Sequence, residues 1–422
     1  MKSSQRPLPV TSTLLSAIAG AILLLGAAGL QAQDAYFPPP GDWERRSPES
    51  MGMNPELLQQ AVDFAIASES TAPRDLEVAH ALSWNTEPFD EAIGPLKVRG
   101  PQSGIVVKDG YIVAEWGETR RVDPTFSVAK SFLSSTVGLA WDRGLIRDVN
   151  DAVHEYMPPL ILPVGDGEPG MEADGRGVPT PVSLFDSEHN QKITWDHLLR
   201  QTSDWEGTLW GKPDWGDRPG RDVAANRNRP RNEPGTAYKY NDVRVNLLAL
   251  AALQVWRRPL PQVLREHIMD PIGASNTWRW YGYENSWVNV DGEMMQSVSG
   301  GTHWGGGMNL SAEDQARFGY FTLHKGSWDG EQLLSEEWLD MAETPGSVNE
   351  MYGFMNFFLN TGQRSYSSTP ESSFSHRGAG TNLVYVDRDN DLVVVARWIQ
   401  GGAIDEFLGM VIASSVVAEE RR

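Results

Sequence analysis

The 422-residue chain contains no cysteine. That removes disulfides, a thiol nucleophile and a lipidated N-terminal cysteine together, so stability must come from packing. Positive charge is scarce: 36 Lys and Arg stand against 56 Asp and Glu, for a formal net charge of −20. A chain this acidic lacks the basic surface that neutralises phosphates, which excludes nucleic acid as a partner. Long apolar runs are missing outside the N-terminus, and no internal repeat is visible. Also absent are a G-x-S-x-G elbow, an H-E-x-x-H helix and a G-x-x-x-x-G-K-[ST] loop. His189 and His197 flank a loop-to-helix junction at a spacing poorly suited to one metal ion. Neither a metal nor an organic cofactor is expected.

What is present begins with an export-type N-terminus. Lys2 and Arg6 precede an apolar stretch from Leu14 to Leu30, closed by Gly29-Leu30-Gln31-Ala32. Residues 1–32 read as a secretory signal peptide, short for a membrane span and followed at once by Gln33-Asp34. The expected destination is the bacterial periplasm or the medium, with no stable membrane association after cleavage. An uncleaved N-terminal anchor is the alternative. Residues 33–48, with prolines between Tyr36 and Pro48, form an extended lead-in, and 49–422 a single domain without a sharp compositional break.

Periodicity outlines that domain. Leu57, Leu58, Ala61, Val62 and Ala65 mark an amphipathic helix starting near Asn54-Pro55. Ile105 to Val107 and Tyr111 to Trp116 flank Asp109-Gly110 as a hairpin. A helix carrying Phe132, Leu133, Val137 and Ala140 stops at Gly144, and Ser311 with Asp314 caps another holding Ala316, Phe318 and Phe321. Leu383 to Val386 and Leu392 to Trp398 alternate about Asp389-Asn390-Asp391, and Ile404 to Ala418 closes the chain as a helix with Phe407, Leu408, Val411 and Ile412 inward. The segments 161–190 and 209–235 read as surface excursions. This order predicts an α/β (α+β) fold: one antiparallel sheet built from both termini with flanking helices, an all-helical lobe from the middle, and a cleft between them.

Chemistry concentrates at Ser127-Val128-Ala129-Lys130. A Ser and a Lys three apart share one helix face, so the amine can reach the hydroxyl, which needs a base to become a nucleophile. The first turn of a helix adds unpaired N–H groups and a positive dipole. A lone Ser-x-x-Lys recurs by chance, so its weight depends on other segments. Tyr238-Lys239-Tyr240-Asn241-Asp242 precedes the helical run Val245 to Val255, where a tyrosine either points into a cleft or packs under a loop. Ser375-His376-Arg377-Gly378-Ala379-Gly380 opens the last hairpin, as either a ligand-approaching strand edge or a glycine-rich turn. Trp205, Trp210, Trp215, Trp280, Tyr281 and Trp304 either line an apolar acyl pocket or pack the core. Arg227, Arg229 and Arg231 either receive a substrate carboxylate or belong to a solvated loop, the second being favoured.

Together these segments resemble the serine β-lactamase and penicillin-binding-protein superfamily, nearest its class C-like branch. That branch includes family VIII esterases, D-alanyl-D-alanine carboxypeptidases and 6-aminohexanoate-dimer hydrolases. The likeness spans roughly residues 45–418, and Ile193-Thr194-Trp195-Asp196-His197-Leu198-Leu199-Arg200-Gln201-Thr202-Ser203 and Gly305 to Phe318 resemble further stretches of it. The resemblance implies a β-lactamase/transpeptidase-like fold, attack by Ser127, a base at Lys130, proton transfer through Tyr240 and an oxyanion hole from the N–H groups of Ser127 and Ala379. Asp242 replaces the usual Asn of the Tyr motif, and His376-Arg377-Gly378 replaces Lys-Thr-Gly; Asp242, His376 and Gly378 are expected to support the site. An ionised Asp242 should favour the ammonium form of Lys130 and leave more of the proton abstraction to Tyr240. The expected activity is hydrolysis of a small ester or linear amide, with a D-Ala-D-Ala carboxypeptidase or weak β-lactamase as the alternative and a non-catalytic acyl-ligand sensor a more distant one.

Overall fold

Asn54 opens the first helix by accepting hydrogen bonds from the Glu56 and Leu57 N–H groups, with Pro55 supplying a preset φ at the first helical position. The computed structural model describes residues 35–160 and 181–415. The signal-peptide reading, most of the 161–190 excursion and the last residues of the closing helix lie outside them. This first helix, α1 (Pro55–Ala67), buries Leu58, Ala61, Val62 and Ala65. The closing helix, α5 (Ile404–Ser415), buries Phe407, Leu408 and Val411 beside it.

Strands β1 (Ser103–Lys108) and β2 (Tyr111–Trp116) turn at Asp109 and Gly110, both at positive φ, the geometry of a tight hairpin. Further strands are β3 (Arg279–Val290), β4 (Glu293–Val298), β5 (Gly307–Leu310), β6 (Phe358–Leu359), β7 (Phe374–Gly378), β8 (Asn382–Asp387) and β9 (Leu392–Arg397). Six of them form one antiparallel sheet in the order β6-β7-β8-β9-β1-β2, so strands from both ends of the domain meet at its centre. Val106 pairs with Val394, and Val394 with Tyr385. Alternation sends Val106, Leu383, Tyr385 and Val394 toward α1 and α5. It sends Ile105, Val107, Val384, Val393 and Val395 to the other face, toward α4 (Ala312–Leu323) with its Phe318 and Phe321. Both faces are covered, which explains the near-continuous Val runs.

The central segment is not all-helical as the sequence suggested. Helices α2 (Ala129–Asp142) and α3 (Asp242–Trp256) are buried almost all round, but β3, β4 and β5 form a second antiparallel sheet edged by Asp123–Pro124. The reason it escapes periodicity is a register shift between Gly282 and Trp287 that breaks the alternation of β3. This small sheet has a direct role: the Thr125 N–H donates to the Met308 carbonyl (2.9 Å), so its edge leads straight into Ser127. Arg397 of β9, itself buried, donates to the Leu310 (3.0 Å) and Pro124 (3.1 Å) carbonyls and ties the two sheets together.

The extended lead-in belongs to the same body as the rest. Trp43 is buried and its Nε1 donates to the Gly110 carbonyl at 2.7 Å, while Arg317 of α4 donates to the carbonyls of Pro38, Pro39 and Asp42. Position 48 is therefore no structural boundary. No helix among the described residues is long and apolar enough to cross a membrane.

The joint between α5 and the sheet yields a stability test. Phe407 is fully buried with its ring edge-on to Trp116, centroids 5.7 Å apart. Phe407→Ala should lower the urea unfolding free energy by about 3–5 kcal/mol through lost transfer energy and a cavity. A loss below about 1 kcal/mol would show that α5 does not complete the core.

Candidate active site

Phe126–Val128 form a single tight turn before α2 begins at Ala129. Phe126 has φ +51, a left-handed conformation costly for a bulky residue, and it aims the next residue toward α3. Lys130, one turn on, donates from Nζ to Ser127 Oγ at 2.9 Å, and Oγ donates onward to the Gly301 carbonyl at 3.3 Å. On its other side Lys130 Nζ meets Asp242 Oδ1 at 2.5 Å, with both side chains fully buried. Tyr240 presents its ring 4.5 Å from the same nitrogen. Thus Ser127, Lys130, Tyr240 and Asp242 converge; helical spacing anticipated the first two, and the family resemblance implied the others.

Tyr240 and Asp242 are delivered by a helix cap. Asn241 accepts from the Arg244 N–H (3.1 Å), donates from Nδ2 to the Asp214 carbonyl (2.7 Å), and its N–H reaches Gln201 Oε1 (2.6 Å). The cap sets the tyrosine just outside α3 and the aspartate in its first turn. Two glycines make the close approach possible. A Cβ at Gly301 would lie 2.0 Å from Asp242 Oδ1 and 2.7 Å from Lys130 Nζ. One at Gly378 would lie 2.0 Å from the Thr125 carbonyl oxygen and 3.0 Å from the Ser127 nitrogen. The end of β7 is thereby packed against the Ser127 N–H, and Ala379 follows at its exposed end.

Burial governs the electrostatics. Desolvation lowers the pKa of Lys130 below the usual lysine value, against the opposing charge of Asp242. Desolvation alone would raise Asp242, but Lys130 and Arg218 outweigh it and hold the carboxylate ionised. Burial, followed by Asp242, pushes the Tyr240 phenol well above the ordinary tyrosine value. Asp242 does favour the ammonium form, as expected from sequence, but burial opposes it at Lys130 and raises the Tyr240 phenol. Sequence could place Asp242 beside Lys130 but could not reveal complete burial.

Two positioning side chains carried no motif. Asn356, fully buried, donates from Nδ2 to the carbonyls of Ser127 and Arg377 and accepts from the Arg377 N–H at 2.9 Å. One amide thus ties the Ser127 turn to β7. Arg218 donates to Asp217 Oδ1 (2.5 Å) and to Asp242 Oδ2 (3.3 Å). Glu87, Asp217 and His303 come nearest to a metal-ligand set among the described residues. The Arg218 guanidinium already sits on Asp217 there, so a cation from the chain itself balances the acids.

Other expected site residues lie elsewhere. His376 is completely buried: Nδ1 is 2.8 Å from Ser131 Oγ and Nε2 3.3 Å from Thr322 Oγ1, with Phe318, Phe357 and Phe374 around its ring. Strand alternation turns it toward the core beneath α2, not toward substrate. Trp205 is a core residue whose Nε1 donates to the Leu184 carbonyl at 2.7 Å, and Trp210, Trp280 and Trp304 are buried in the same cluster. Trp215 packs against Phe89 and the Arg227 guanidinium, and Tyr281 is exposed. The solvated-loop reading of the arginines fails for Arg229 and Arg231. With Arg244 they surround the buried Asp204 and Asp214, at distances of 2.6 Å for Arg231–Asp214 and Arg244–Asp204. A buried charge needs its partner, so these arginines answer acids the loop encloses.

The family model described as Beta-lactamase matches residues 104–398. Among solved structures the chain is similar to a penicillin-binding protein homologue from Caulobacter crescentus, at 13% identity over 86% of this chain and 99% of that one, TM-score 0.53. It is also similar to a family VIII carboxylesterase, at 16% identity over 86% and 98% of the two chains, TM-score 0.51. A third is EstCE1, a hydrolase with promiscuous acyltransferase activity, at 14% identity over 85% and 98%, TM-score 0.51. At such identities the likeness is one of fold. No curated protein sequence matches the chain.

The inward His376 has a measurable consequence. Burial, aided by Arg388, lowers its pKa to about 3. The unfolded chain, with a histidine pKa of about 6.5, binds the extra proton first, so acidification below that value favours unfolding. Between pH 7 and pH 5 this one group should remove about 2 kcal/mol of stability. His376→Asn keeps a polar partner for Ser131 and should flatten the pH dependence of chemical unfolding by that amount; coincident slopes would disprove the assignment.

Proposed function

The chain belongs to the Beta-lactamase family, and on that premise we propose that it is a serine hydrolase that cleaves a small ester or linear amide through an acyl-enzyme on Ser127. The observation that carries this reading is the 2.9 Å contact from Lys130 Nζ to Ser127 Oγ, inside a fully buried pair with Asp242. A lysine whose burial weakens its hold on a proton is a fitting general base.

The steps follow from the protonation states. Lys130 in its neutral form takes the Ser127 proton as Oγ bonds to the acyl carbon, and the carbonyl pair moves onto oxygen. The Ser127 N–H at the start of α2, with Ala379 after Gly378, faces that oxyanion. As the tetrahedral intermediate collapses, Tyr240 gives its proton to the departing alkoxide or amine, and Lys130 returns one to Tyr240. Water then repeats the sequence against the acyl-enzyme, its proton passing to Lys130 and on to the released Ser127. Tyr240 serves here as acid rather than as the main base, because its raised pKa keeps it protonated.

The charged groups near Ser127 favour neutral substrates. Lys130 and Arg218 are both engaged by carboxylates, and Arg377 lies against the Phe358 and Tyr366 rings. His376, at the place where penicillin-recognising relatives carry lysine, is withdrawn into the core. This supports ester or amide hydrolysis over recognition of a β-lactam carboxylate. Export through a signal over residues 1–32, placing the enzyme in the periplasm or medium, completes the proposal.

Incubation with p-nitrophenyl acetate should add one acetyl group to the protein by intact mass, and Ser127→Ala should abolish both adduct and turnover. Tyr240→Phe should retain the fold and lose about 10²–10⁴-fold in kcat/KM. Turnover of nitrocefin exceeding that of short esters and linear amides would reverse the substrate assignment.

A further inference from the structure

Arg218 sits one step behind the reacting groups and touches none of them through a hydrogen bond. Its two terminal nitrogens divide between carboxylates, one on Asp217 Oδ1 at 2.5 Å and one on Asp242 Oδ2 at 3.3 Å. Its guanidinium lies 5.1 Å from the ring centroids of both Trp84 and Tyr240. The residue holds φ +46, a left-handed conformation that a long side chain adopts only under constraint, and its N–H is anchored on Glu87 Oε2 at 3.2 Å. Asp217 is held in turn: its other oxygen accepts from the Asp242 N–H, and His303 Nδ1 stands 3.6 Å away with Nε2 3.0 Å from Glu87. A strained backbone and a chain of buried polar groups thus fix one cation behind Asp242.

Each terminal nitrogen of the guanidinium already donates to a carboxylate of the chain. Its effect must pass through Asp242. That carboxylate meets Lys130 on Oδ1 and Arg218 on Oδ2, two cations on separate oxygens. With Lys130 as sole partner, the full negative charge would hold the ammonium form and disable the base. A second cation shares that charge. We propose that Arg218 is a positioning residue for acylation, which divides Asp242 with Lys130 so that the lysine can release a proton and accept that of Ser127. This rests on the Ser127 acyl-enzyme reading and adds a second cation to the burial that already loosens the lysine's proton.

The other groups facing Lys130 are Asp242, Tyr240 and Tyr352, and those facing Asp242 include His303, Asp217 and Tyr283. Among these, Arg218 is the group that lowers the pKa of both Lys130 and Tyr240 by its charge. Burial opposes its own charge, yet Asp217 and Asp242 outweigh that and raise its pKa, so it stays cationic.

The test is the pH profile of kcat/KM for p-nitrophenyl acetate, run beside the rate at which a fluorophosphonate labels Ser127. Arg218→Gln should move the acidic limb of both profiles upward by about one pH unit, a loss of about tenfold on the limb that shrinks toward high pH. Arg218→Lys, which keeps the charge but cannot bridge two carboxylates, should move it less in the same direction. A folded Arg218→Gln protein with an unmoved limb, or with equal loss at every pH, overturns the proposal. If that variant does not fold, an unmoved limb in Arg218→Met, which also removes the charge, overturns it. A wild-type protein that neither turns over ester nor is labelled at Ser127 overturns the hydrolase reading itself, a different result from an unmoved limb.

Discussion

The buried pair of Lys130 and Asp242 is the constraint to which the surrounding structure is fitted. Two charges taken out of water repay their desolvation only when geometry is tight and every remaining polar atom is partnered, and loss of one partner typically costs 3–5 kcal/mol. Gly301 lets a backbone segment lie directly over the pair, where any side chain would collide with it. Asn241 fixes the start of α3 so that Asp242 enters at the right height, and Arg218 supports the carboxylate from behind. Ser127 is a passenger on this arrangement. Its Oγ is held by the same nitrogen that pairs with Asp242.

Two sheets meet around that pair. The smaller one ends at Asp123–Pro124 and passes straight into the Ser127 turn, while the larger brings β7 and Gly378 against it from the opposite side. Arg397 and Asn356 join the two, one by carbonyls at the sheet edges and one by an amide shared between Ser127 and Arg377. The site therefore depends on long-range contacts that no single segment contains.

This explains what could be read in the amino-acid order. Ser127 and Lys130 are legible because helical spacing alone brings them together. The hairpins at Asp109-Gly110 and about Asp389 to Asp391 are legible because turn chemistry is local. Tyr240 is legible through the family resemblance, since local sequence leaves it either facing a cleft or packed under a loop. By contrast, Arg218 sits in the arginine-bearing stretch 209–235 that reads as a surface excursion, and its meaning lies in Asp242, reached only after folding. Asn356 acts through backbone carbonyls, which have no identity in a sequence. His376 shows the converse: its position matched a substrate-facing one, yet strand alternation and three phenylalanines turn it inward. The tryptophans misled for a similar reason, since ring size suits a pocket wall and a core equally well.

The Asn356 amide gives the cleft an asymmetry of its own. Because one side chain grips both the serine turn and the end of β7, those two walls cannot part without breaking the same bonds. They form a fixed jaw. The opposing wall, with Tyr240 and the Trp84–Arg218 stack, is built from a helix cap and loops and shares none of those bonds.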